Sequence, residues 1–281
     1  MTGPVVVGFD GSPESLAASE WAVREARRRE LRLEILQSWP WPRRDVVGSD
    51  ETYRLALSRL AEREAALRAL APEVPVSSST VSTEPAEALE AAARSAGVLV
   101  LGSRGLGTIH GFLVGSVSQE VLGRADCPVV LVRAGGGGHD GPVLVGLDLA
   151  RPADEVLAYA FGAAAVRSTP LRVLHVWAPP AGSEYTSFDA VRSTEKDPSA
   201  EERALLAEVL EPWRARYPGV EARAELVRGG AAAAVVEAAA TARLLVLGRR
   251  MRRGPLGARL GPVAHAAIHH VGCPVAIVPH S

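Results

Sequence analysis

Residues 98–116 read VLVLGSRGLGTIHGFLVGS: the apolar run Val98-Leu99-Val100-Leu101, then Gly102, two residues, Gly105, nine residues, Gly115 and Ser116. A short, continuous apolar run bounded by glycine predicts a strand buried on both faces. A strand that ends in such a frame and leads into a helix is a place to hold phosphate. Glycine lets backbone N–H groups approach an anion without an intervening side chain, and a helix N-terminus adds partial positive charge.

The frame recurs with damage. Leu244-Leu245-Val246-Leu247 is followed by Gly248, then Met251 where Gly105 stood, then Gly261 and Pro262 where Gly115 and Ser116 stood. Gly102 and Gly248, Gly115 and Gly261, and Cys127 and Cys273 are all 146 residues apart. Earlier landmarks, Asp10 with Asp148 and Trp39 with Trp177, are 138 apart. The chain is therefore a tandem duplication. Its second copy holds about eight extra residues between its second and fourth strands, where a long loop tolerates insertion.

The elements follow the same order in both copies. In the first, strands are predicted at Val5 to Phe9, Leu31 to Ser38, near Val74 to Val81, Val98 to Leu101 and Pro128 to Val132. Helices are predicted from Pro13 to about Glu30, Glu51 to Leu70 with Leu55, Leu60, Leu67 and Leu70 among its apolar positions, Pro85 to Ala96 and Ser116 to Gly123. In the second, strands fall at Val143 to Leu147, Leu171 to Val176, about Val220 to Val227, Leu244 to Leu247 and Pro274 to Val278. This alternation predicts an α/β protein of two tandem Rossmann-like domains, 1–136 and 137–281, each a doubly wound, five-stranded parallel sheet. Gly135 to Gly138 is read as a flexible joint. Asp10, Ser38 and Gly102 all fall at carboxyl ends of strands, so three separate segments converge on one crevice.

A chain of 281 residues suits two such domains, and a formal charge of −1 gives no global bias toward nucleic acid or membrane. No apolar run reaches membrane-spanning length, and Met1-Thr2-Gly3-Pro4 leads straight into a strand rather than a signal peptide, so a soluble cytoplasmic protein is expected. Cys127 and Cys273 at equivalent positions read as small buried residues rather than a disulfide framework. His265 and His269 have a spacing that suits zinc, but no third ligand is evident and no metal site is expected. The Trp39/Trp41 pair and Trp177 are expected to pack at the ends of the second strands or between the repeats.

The glycine frame is neither a Walker A loop, since no Lys-Ser or Lys-Thr follows it, nor the dinucleotide fingerprint, whose glycine order it lacks. Phosphate charge would be met by backbone donors, the Ser116 hydroxyl, Arg104 and a divalent cation. With Val-Val-Val-Gly-Phe-Asp-Gly-Ser at 5–12, Gly-Ser-Arg-Gly at 102–105, Gly-Ser-Val-Ser-Gln at 115–119 and Cys-Pro-Val-Val-Leu-Val at 127–132, nearly the whole chain resembles the universal stress protein family in tandem form. Repeat one matches the glycine pattern of its ATP-binding branch at every position. The resemblance implies ATP, with Mg2+ as a possible companion. Asp10 would contact the adenosine part, backbone near Ser38 would meet adenine, and Gly102, Gly105, Gly115 and Ser116 would hold the phosphates. Gly8, Ser103, Arg104 and Val117 complete this candidate set. Asp148, Val176, Gly248 and Gly261 are its remnant in repeat two.

The resemblance further implies pairing through the last strands, Pro128 to Val132 beside Pro274 to Val278. The tandem chain would then be an intramolecular pseudo-dimer, itself able to dimerise. The function it implies is a stress-response regulator that couples adenine-nucleotide binding to conformation or to an unidentified protein partner. A nucleotide-independent scaffold and a slow ATPase are the alternatives; no general base or lysine stands near the phosphates, and no catalytic residue is assigned. Arg249-Arg250-Met251-Arg252-Arg253 reads either as a solvated basic loop or as a surviving polyanion site, and His110 within the frame as an exposed loop residue or a nucleotide neighbour.

Overall fold

A computed structural model of the chain describes residues 3–40, 49–103, 115–135, 140–177, 198–251 and 260–281. Arg104, Gly105, His110, Trp41, Arg252 and Arg253 lie outside the described residues. In repeat one, strands β1 (Val5–Gly8), β2 (Leu33–Ser38), β3 (Val76–Val81), β4 (Val98–Ser103) and β5 (Val129–Arg133) alternate with helices α1 (Pro13–Arg29), α2 (Ser49–Leu70), α3 (Pro85–Ala93) and α4 (Ser116–Arg124). Repeat two has β6 (Val143–Gly146), β7 (Leu171–Trp177), β8 (Ala222–Arg228), β9 (Leu244–Arg250) and β10 (Val275–His280), with α5 (Asp154–Ala165), α6 (Pro198–Arg216), α7 (Ala231–Ala238) and α8 (Pro262–His270).

All ten strands form one sheet in the order β3-β2-β1-β4-β5-β10-β9-β6-β7-β8. Each half is parallel, and the halves meet where β5 runs antiparallel to β10. At that junction Val130 faces Ala276, its own counterpart in the second copy, while Val129 faces Ile277 and Leu131 faces Val275. The pairing is thus reciprocal about one point, as a pseudo-two-fold requires. Alternate residues of the central strands serve two cores. Val5, Val7, Val98 and Val100 belong to the layer under α1, α2, α5 and α6; Val6, Leu99 and Leu101 belong to the layer under α3, α4, α7 and α8. Burial on both faces explains why these strands are apolar runs rather than alternations.

Several element limits differ from the sequence reading. β2 begins at Leu33, not Leu31, because Glu30 adopts a left-handed turn and Leu31 N–H donates to Ala26 O at 2.9 Å to close α1. α3 stops at Ala93, and β3 starts at Val76 after a turn in which Val74 N–H bonds Ala71 O. β4 and β9 run past their apolar residues to Ser103 and Arg250. In α2, Leu60 and Leu67 are buried together with Ala56, whereas Leu55 and Leu70 are exposed.

The repeats are also joined on both faces of the sheet. On the α1/α5 face, the fully buried Glu25 carboxylate accepts from Arg29 of its own helix at 2.6 Å and from Arg167 of repeat two. Arg29 stacks over the Tyr159 ring at 5.3 Å, and Arg167, its counterpart, stacks over Trp21 at 5.7 Å. Burial alone would raise the Glu25 carboxyl, but Arg167 and Arg29 beside it hold it below the usual carboxylate range. On the opposite face, Arg133 of β5 donates to Ile268 O near the end of α8 at 2.8 Å. Arg249 of β9 donates to Gly123 O at 2.9 Å and to Ala125 O, at the end of α4. Arginines placed on the last carbonyls of a helix satisfy acceptors that the helix itself leaves open.

Candidate functional site

The β1–α1 connection is built by its own side chains. Asp10 Oδ1 accepts the Ser12 N–H at 2.9 Å, Gly11 takes φ 78°, and Ser12 Oγ caps α1 by accepting the Ser15 N–H at 3.2 Å. This sets the first turn of α1 over the end of β4. Gly102 permits the approach: a Cβ there would lie 2.6 Å from the Glu14 carbonyl carbon. The first glycine of the frame therefore has a packing role of its own. Gly8 is similarly closed in, with Leu101 Cδ2 2.9 Å from a Cβ built on it. Gly115 differs, since no described residue lies within 4 Å of the place its Cβ would take.

These elements enclose a cavity of about 330 Å³ at the carboxyl ends of β1, β2 and β4, within the usual size range of small-molecule sites. Gly8, Asp10, Ser38, Gly102, Gly115, Ser116 and Val117 all line it. Ser103, named with them, is not among the described lining residues: it is buried on the α4 face of β4, and its hydroxyl has no hydrogen-bond partner among the described residues. The Ser38 hydroxyl donates to Thr83 O, tying the end of β2 to the segment before α3. The sequence reading missed Glu14, Ser15, Ser118 and the apolar wall of Leu36, Leu89 and Leu101. Ser15 was legible as the N3 partner of a capping serine. Leu89 was not, because its place in the wall depends on how α3 docks.

Repeat two has a cavity in the corresponding place, about 690 Å³, and Asp148, Val176, Gly248 and Gly261 all line it. Its extra room has a local cause. Asp148 Oδ1 still accepts a backbone N–H, from Ala150 at 3.1 Å, but no side chain caps α5, which begins only at Asp154. Counted by the repeat, that is about one turn later than α1. Neither reading of the arginine run fits Arg249. Only 4% of it is exposed, inside β9, with its guanidinium on the α4 carbonyls. Arg250, the next residue, is exposed. Arg151, His175 and His280 also line the cavity and were not singled out. His175, a lone histidine in an otherwise apolar strand stretch, was the available signal. Its Nδ1 lies 2.9 Å from Leu147 O and its Nε2 3.4 Å from a Glu202 carboxylate oxygen.

The model of the Universal stress protein family matches residues 1–133 and again 141–279. The chain belongs to the universal stress protein family. A universal stress protein of Mycolicibacterium smegmatis is 32% identical over 98% of this chain and 96% of its own length. One from Mycobacterium tuberculosis H37Rv is 30% identical over 99% and 97%. The crystal structure of a universal stress protein from Archaeoglobus fulgidus covers all of both chains with a TM-score of 0.73 at 17% identity, a likeness of fold.

Cys127, Cys273, His265, His269 and Trp39 are not among the described lining residues of either cavity. Burial pushes the Cys127 and Cys273 thiols up to about 11, so both are inert small core residues. His265 and His269 face each other on α8 with ring centroids 4.5 Å apart, and among the described residues no three potential ligands gather around a metal position. Trp39 packs on Tyr53 of α2 at 5.7 Å, closing the end of β2. No helix among the described residues is long and apolar enough to cross a membrane.

Proposed function

We propose that this universal stress protein binds ATP in the repeat-one cavity and acts as a cytoplasmic regulator whose nucleotide occupancy biases the form that a partner protein meets. The observation that carries this reading is convergence. Asp10, Ser38, Gly102 and the Gly115-Ser116 helix start come from separate segments and line one cavity. Asp10 and Ser38 are assigned to the nucleoside end. Gly115, Ser116 and the first backbone amides of α4 are assigned to phosphate, where the helix N-terminus favours negative charge. No described residue crowds Gly115, which suits backbone contact with an anion. With Asp10 at the nucleoside end, Glu14 is the other acidic residue of the described lining and the group that would hold a Mg2+ arriving with ATP, which would neutralise phosphate charge.

A thermal-shift titration tests the reading. ATP at about 100 times its Kd would stabilise the fold by about 2.7 kcal/mol and raise the Tm. A flat response to millimolar ATP with Mg2+ would overturn it. One observation favours the scaffold alternative: Gly102 is already explained by its contact with α1, without a ligand. Mass spectrometry of denatured, freshly purified protein separates the two, since the scaffold carries no co-purifying nucleotide.

A further inference from the structure

The two cavities have different chemistry. That of repeat one is lined by five serines, Ser12, Ser15, Ser38, Ser116 and Ser118. That of repeat two has no serine or threonine among its described lining residues; it has Arg151 and Arg250 at the rim and His175 and His280 further in. Its walls are aliphatic, formed by Leu147, Leu174, Val176, Val235, Leu247 and Val263. Arg151 and Arg250 are exposed, and neither has an ion-pair partner among the described residues. The one acidic residue among the described lining, Asp148, has Oδ1 occupied by the Ala150 N–H.

The features that would admit a polyphosphate are altered together. Met251 replaces a frame glycine, and Pro262 removes an amide N–H at the start of α8. The His280 ring covers Gly248, standing 2.9 Å from where a Cβ would be, whereas in repeat one the backbone of α1 occupies that place. Arg249 is committed to α4. What remains is an enlarged aliphatic chamber with two exposed guanidinium groups that have no ion-pair partner among the described residues. A guanidinium matches a carboxylate through two parallel N–H···O bonds, and aliphatic walls favour an apolar body over a sugar.

We propose that repeat two is a second ligand site that takes an amphipathic monocarboxylate, its carboxylate on Arg151 and Arg250 and its hydrocarbon body against Leu174, Val235 and Leu247. This site is independent of the nucleotide reading for repeat one and stands if that reading fails.

Decanoate titrated calorimetrically into the full-length protein is the test. Saturable binding at one site per chain is expected, unchanged by excess ATP. Arg151→Ser/Arg250→Ser, both at exposed positions, is expected to weaken it by at least about tenfold. Val263→Trp, which fills the chamber, should abolish it. Decanol, with the same body and no charge, should bind no better than decanoate binds the double variant. Absence of saturable binding, equal affinity in wild type and the double variant, or displacement of decanoate by ATP would each overturn the inference.

Discussion

A methyl group added at Gly102 would press on the backbone of Glu14 and Ser15, at 2.6 and 2.8 Å, whereas one added at Gly115 would meet no described residue within 4 Å. The two frame glycines should therefore fail differently. Gly102→Ala is expected to cost about 1–3 kcal/mol in denaturant unfolding, because α1 must shift as a unit. Gly115→Ala, at an ordinary φ of −61° but at the N-cap of α4, is expected to cost no more than about 1 kcal/mol and to lower ATP affinity. If Gly115→Ala bound ATP as wild type does, the phosphate role of this residue would be lost. The sequence alone assigned both glycines to phosphate, because spacing cannot separate a residue that is small for a ligand from one that is small for a neighbouring helix.

Element ends were the least legible layer, and the reason is the same at each. A strand is visible in sequence while it is apolar, but β9 continues through Gly248, Arg249 and Arg250 because backbone pairing with β10 does not depend on side-chain polarity. Arg249 then appeared to belong to a loop, when its partners are carbonyls more than a hundred residues away. Arg249→Met is expected to destabilise by about 1–3 kcal/mol, since Gly123 O and Ala125 O lose a buried donor; urea unfolding measures it. By contrast, the start of α1 was legible from Ser12 and Pro13, the standard chemistry of a helix entry. Ser12→Ala is expected to cost about 1 kcal/mol. The late start of α5, which enlarges the second cavity, left no such signal beyond the missing cap.

At the scale of the whole molecule, the duplication and the parallel, doubly wound sheet of each half could be read from the sequence, and pairing through the last strands came from the family resemblance. The arginine contacts that fasten the halves could not be read, since no local pattern announces Glu25 or Arg167. Replacing Glu25 by Gln leaves two buried guanidinium groups without their counter-charge, and a loss of about 3–5 kcal/mol is expected. The pH dependence has a definite sign. The folded Glu25 carboxyl lies below its ordinary value of 4.5, so its contribution is complete above that pH and is lost as pH falls toward the folded value. Melting curves between pH 7 and pH 3 should show a steeper acid decline in wild type than in Glu25→Gln, and parallel declines would refute this account.

The Glu25 contact also gives the two halves a polarity. Arg29 and Arg167 are counterparts, but the residue matching Glu25 in the second copy is Ala163, so one carboxylate serves two arginines. Two second copies set face to face would bury two arginines with no acid between them. The halves are therefore plug and socket rather than interchangeable parts. If chains exchange halves, the rule is that a first copy must meet a second: two chains can close into a reciprocal pair, a longer head-to-tail series obeys the same rule, and what the contact disfavours is a second copy meeting a second.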